Sequence, residues 1–72
     1  ASRKKELVIP RQITMYLMRE EINCSYPFIG QQLGGRAHTT AMHAYNKVEL
    51  YITANEKIRN DVALLRQKMY EL

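Results

Sequence analysis

A pair of glycines, Gly34-Gly35, stands between two apolar-patterned segments in a chain of 72 residues that has only one other glycine and two prolines. With so few breakers, this is where the backbone must reverse, because glycine takes positive φ without steric cost. The residues that follow, Arg36-Ala37-His38-Thr39-Thr40-Ala41-Met42-His43-Ala44, begin polar and small and then turn apolar-periodic. Such a run starts a helix and sets charge and hydrogen-bonding groups at its positively polarised end. A start of this kind suits phosphate oxygens and base edges. An ordinary threonine-capped helix is the competing reading.

The rest of the chain fits around that corner as helix, since no alternating β-branched stretch is long enough to propose a strand. The spacing predicts a first helix from near Pro10 through Ile13, Tyr16, Leu17 and Ile22, fraying near Asn23. Residues 1–9 are read as a basic loop ahead of it. Ser25 as N-cap with Pro27 just inside announces a short second helix carrying Phe28, Ile29 and Leu33. A third helix starts near Ala37, with a buried stripe at Ala41, Tyr45, Val48 and Ile52 and a polar face with His43 and Lys47. After a break at residues 53–55, a C-terminal helix over 55–72 carries Ile58, Val62, Leu65, Met69 and Leu72. The expected fold is a small all-α domain with a helix-turn-helix at residues 25–52.

Charge sharpens the reading once it is located. The net charge of +4 lies wholly within residues 1–19, where Arg3, Lys4, Lys5, Arg11 and Arg19 outweigh Glu6; beyond them basic and acidic side chains balance. A basic end on a neutral body suits an anionic polymer, although a solubilising terminus has the same composition. The lone Cys24 permits no internal disulfide, which fits a reducing cytoplasmic setting, and no apolar run approaches a bilayer span. The chain starts without Met inside a basic stretch, so it is read as a fragment of a longer protein.

Other chemistries find little support. A zinc site from Cys24, His38 and His43 fails on spacing, because histidines five apart do not share a helix face. No serine or threonine has an evident base, and no phosphate-binding GxxxxGK[ST] loop is present, so no catalysis or nucleotide binding is expected. Five tyrosines could stack on bases, but Tyr16 and Tyr45 lie on apolar stripes and are read as core.

The motif GGRAHTTAMHA at 34–44 resembles the GGRDHTT signature, followed by a histidine, of the C-terminal DNA-binding domain of the bacterial replication initiator DnaA. Pro10-Arg11-Gln12 is similar to that family's PRQ, and Ser25-Tyr26-Pro27-Phe28-Ile29-Gly30 to its S-x-P-x-I-G helix. Order and spacing agree over residues 3–52. The resemblance implies a Trp-repressor-like helix-turn-helix that binds duplex sites called DnaA boxes, of the TTATNCACA type, at the replication origin and some promoters. It implies base contacts from Arg3 in the minor groove and from Ala37, His38 and Thr39 at the recognition-helix start. It implies backbone contacts from Arg11, Gln12, Arg19, Pro27, Arg36, Thr40, His43 and Lys47. Partners would be double-stranded DNA, the rest of the initiator and other protomers. ATP would belong to a separate ATPase domain, leaving this chain without cofactor, metal or membrane span, in the bacterial cytoplasm at the nucleoid.

Three residues depart from the family pattern. Ala37 replaces an aspartate able to accept from a cytosine amino group, so discrimination there should weaken by about 1–3 kcal/mol. Phe28 replaces an acidic residue commonly found there, so an N-terminal capping box with Ser25 is lost. Glu6 sits among the basic residues, and the family's helix ahead of the basic loop is absent, which should leave Arg3 less ordered. Two rivals stay open: an unrelated helix-turn-helix transcription regulator, and a helical protein-interaction module docking through Ile58, Val62, Leu65, Met69 and Leu72.

Overall fold

The structure, a computed structural model, describes residues 2–33 and 38–71, with side chains from Ile9 onward. Its elements are α1 (Ser2–Ile22), α2 (Tyr26–Leu33), α3 (His38–Ala54) and α4 (Glu56–Glu71), with no strand among the described residues.

The start of α1 corrects the sequence reading. Helix begins at Ser2 rather than near Pro10, so the described part of the expected basic loop at 1–9 is helical and Pro10 lies inside α1. Residues 2–9 contain no glycine and several good helix formers, including arginine, lysine, glutamate and leucine, so local propensity favours continuation. Pro10 has no N–H for the Glu6 carbonyl four residues back, which weakens the helix there without ending it. The hydroxyl of Thr14 donates to the Pro10 carbonyl at 2.9 Å.

The other boundaries have side-chain causes. Asn23 takes a left-handed φ of 60°, which asparagine tolerates better than most residues, and the Cys24 N–H reaches back to the Met18 carbonyl at 3.1 Å. Ser25 then caps α2, its Oγ accepting from the Phe28 N–H at 3.3 Å, so half of the capping box survives the loss of the acidic partner. Asn55 serves two helices at once. Its N–H closes α3 on the Tyr51 carbonyl at 2.8 Å, and its Oδ1 accepts from the Ile58 N–H at 3.0 Å to open α4.

Both α1 and α3 touch all three other helices, whereas α2 and α4 do not meet and lie on separate flanks. The core is correspondingly divided. Ile13, Tyr16 and Leu17 of α1 join Val48 of α3 and Ile58 and Val62 of α4 in one cluster. Met15 of α1 joins Ile29 of α2 and Ala41 and Ala44 of α3 in the other. Because α1 feeds both, its buried residues cannot fall on one stripe: Met15 is buried, while Ile22, placed on the expected stripe, is 59% exposed. Gly30 of α2 is buried, as are Ala41 and Ala44 of α3, and side chains this small let neighbouring helices approach closely.

Candidate nucleic-acid interface

Burial of Ala41, Ala44 and Val48 marks the inward side of α3. Thr39, His43, Asn46 and Leu50, spaced four, three and four apart, therefore form the line facing solvent, with His38, Thr40 and Lys47 exposed beside it. No acidic side chain lies in the first turn of α3, and Glu49 is the first carboxylate along the helix. The positively polarised helix start, two hydroxyls, two imidazoles and one ammonium thus share an exposed end and face. Asn46 was not singled out by sequence reading; its spacing of seven from Thr39 is the signal that finds it.

Residues outside α3 are arranged less uniformly. Pro27 is exposed in the first turn of α2, and Arg11 is exposed on α1. Gln12 is half-buried, and its Oε1 has no hydrogen-bond partner among the described residues. Arg19, expected at the DNA backbone, is engaged within the fold. One guanidinium nitrogen donates to the Cys24 carbonyl at 3.2 Å, and its Cζ sits 4.6 Å from the Tyr26 ring centroid. Arg19 thereby ties the end of α1 to the start of α2. Arg36, Ala37 and the glycine turn lie outside the described residues, as does the Arg3 side chain, although its backbone belongs to α1.

The tyrosines expected in the core build a junction behind the exposed face. Tyr45 of α3 stacks on Tyr16 of α1 with centroids 5.0 Å apart, and Tyr26 of α2 meets it edge-on at 6.2 Å. The Tyr45 hydroxyl donates to the Glu20 carboxylate, and this bond, with burial second, raises the phenol well above its ordinary range. Farther out, the Arg66 Nε lies 2.8 Å from Glu21 Oε2 with its N–H directed off that oxygen, a charge pair rather than a hydrogen bond. Tyr70 donates to the other Glu21 oxygen at 2.6 Å.

Among the described residues no group of three His, Cys, Asp or Glu could hold a metal ion, and no helix is long and apolar enough to cross a membrane. A short helix followed closely in sequence by a longer helix with a polar, solvent-facing leading end defines a helix-turn-helix DNA-binding domain. The model of the bacterial DnaA protein helix-turn-helix family matches residues 1–48, and the chain belongs to that family. It is similar to the chromosomal replication initiator protein DnaA of Thermomicrobium roseum, 51% identical over 69 residues, which is 96% of this chain and 15% of the relative. The protein of the same name from Herpetosiphon aurantiacus is 50% identical over 68 residues, 94% of this chain and 14% of the relative. That of Lactobacillus helveticus is 48% identical over 65 residues, 90% and 14% respectively. The chain therefore spans about one-seventh of the length of these relatives. No solved structure matches it.

Proposed function

We propose that this chain binds duplex DNA sequence-specifically at sites of the DnaA-box type and serves as the recognition module of a replication initiator. The observation that carries this reading is the exposed leading end of α3, free of carboxylates and lined by His38, Thr39, Thr40 and His43. Inserted in the major groove, it sets His38 and Thr39 against base edges, with Ala37 adjoining them in sequence. Thr40, His43 and Lys47 then follow the phosphates. Arg11, Gln12, Pro27 and Arg36 add backbone contacts, and Arg3 enters the adjoining minor groove, where narrow A·T tracts concentrate negative potential. Arg19 contributes to the backbone contacts through whichever guanidinium nitrogens are left by Cys24.

The rest of the initiator and further protomers would supply assembly, and ATP would be held by a separate domain, so this chain acts without a cofactor at the nucleoid in the cytoplasm. The unrelated-regulator reading is disfavoured by the family match. The docking-module reading is weakened because Ile58 and Val62 are buried within the chain's own core and Met69 packs against it, leaving Leu65 as the exposed member of that stripe among the described residues. A titration of a DnaA-box duplex against a scrambled duplex of equal length at fixed salt tests the proposal. Preference for the box supports it, and equal affinity overturns it.

A further inference from the structure

Residues that touch a target can read it only if their helix is held at one rotation and one height against the rest of the fold. In this chain one residue of the recognition helix adds a directional contact to the apolar packing of Ala41, Ala44 and Val48. Tyr45 lies on the inward-leaning side of α3, seven residues beyond His38, and meets two other helices at once. Its ring stacks on Tyr16 of α1 at 5.0 Å with 29° between planes. The Tyr26 ring of α2 packs against it edge-on at 6.2 Å and 70°. Its hydroxyl donates to Glu20 in the last turn of α1. Tyr26 is itself pinned beneath Arg19, the neighbour of Glu20, and Arg19 also holds the Cys24 carbonyl.

We propose that Tyr45 and Glu20 are a positioning pair for DNA readout, setting the rotation of α3 so that Thr39 and His43 meet the groove in register. The inference rests on the DNA-binding reading above. Stacked rings slide over one another at low cost, and alanines at 41 and 44 offer little relief to resist a turn of the helix. A hydrogen bond to a carboxylate is directional and short-ranged, so it converts the stack into a fixed register. The raised phenol keeps that proton on Tyr45 at every pH at which the domain would work. Neither residue need touch DNA for this role.

The test uses Tyr45→Phe, which keeps the ring and removes the hydroxyl, together with Glu20→Ala, Glu20→Gln and the double variant Tyr45→Phe/Glu20→Ala. For each, the ratio of affinities for a DnaA-box duplex and a scrambled duplex is measured at one salt concentration, alongside the thermal midpoint and the salt slope. Tyr45→Phe and Glu20→Ala should each lower the ratio by about tenfold, the effect of one poorly aligned base contact, while leaving scrambled-DNA affinity and salt slope unchanged. The double variant should lose no more than either single, because one bond is removed in all three. Glu20→Gln, which still accepts from the phenol, should recover most of the ratio. A lowered midpoint with an unchanged ratio overturns the proposal and leaves the pair a purely structural contact. An unmodified chain without preference for the box overturns the DNA-box reading first, and the positioning role with it.

Discussion

The Arg59 Nε of α4 donates to the Ile52 carbonyl of α3 at 2.8 Å, so the last helix satisfies the end of the one that faces solvent. Asn55 completes that corner as the only non-helical residue between them, accepting from the Ile58 N–H. Asn55→Ala leaves an N–H at the start of α4 without a side-chain acceptor and should cost about 1 kcal/mol, within the usual 0.5–2 for such caps. Urea unfolding followed by circular dichroism measures this. Asn55→Asp should retain most of the stability.

Ile29 of α2 is completely buried against Met15 of α1 and Ala41 and Ala44 of α3. Ile29→Ala should cost about 2–5 kcal/mol through lost transfer energy and a residual cavity. A domain of this size has about 4–11 kcal/mol in total at roughly 0.05–0.15 per residue. Unfolding should therefore move to far lower denaturant, and a domain near the bottom of that range, with about 4 kcal/mol, is substantially unfolded in buffer once the cost reaches about 4 kcal/mol.

Alkaline pH should unfold the domain through its phenols. Burial raises Tyr16 and the bond to Glu20 raises Tyr45, both from an ordinary value of 10.0. A raised folded-state value means that the folded chain holds its proton more tightly than the unfolded chain does. The stabilisation is complete below pH 10 and is lost as pH climbs from 10 through the folded-state values. Melting curves from pH 8 to 11.5 should fall above pH 10, and Tyr45→Phe should make that fall shallower. A steeper fall in Tyr45→Phe would contradict the assignment.

On DNA, neutralising about five phosphates should give a slope of log K against log salt of roughly −4 to −5. Lys47→Ala should weaken box and scrambled duplex alike and make the slope shallower by about 1. Ala37→Asp should instead sharpen discrimination at a single G·C pair by about 1–3 kcal/mol, leaving the slope nearly unchanged. Isothermal titration at four salt concentrations separates the two behaviours.

Much of this architecture could be read from residue order, because its signals are local. Ser25 and Pro27 mark the start of α2, and Ala41 and Val48 mark the buried side of α3, whereas Tyr45 and Ile52, expected on the same stripe, are half-buried and Ala44 completes it. The beginning of α1 could not be read that way. Pro10 is a good first-turn residue, yet here it sits inside a helix whose earlier residues all favour continuing. Met15 escaped notice because α1 serves two clusters, a property of how four helices meet rather than of one helix's period. The candidate site divides in the same manner. Thr39, His43 and Lys47 follow from helical phase alone, whereas the engagement of Arg19 with Tyr26 and the reach of Tyr45 to Glu20, 25 residues away in sequence, depend on packing.

The buried side of α3 is made of alanine, alanine and valine, and its opposite side is wholly solvated. Substitutions on a solvated helix face usually change stability by no more than about 0.5 kcal/mol. Mutations at Thr39, His43 or Asn46 can therefore be sampled by a lineage one at a time without endangering the fold. Where these side chains read the target as proposed, its preference is free to drift while stability is not.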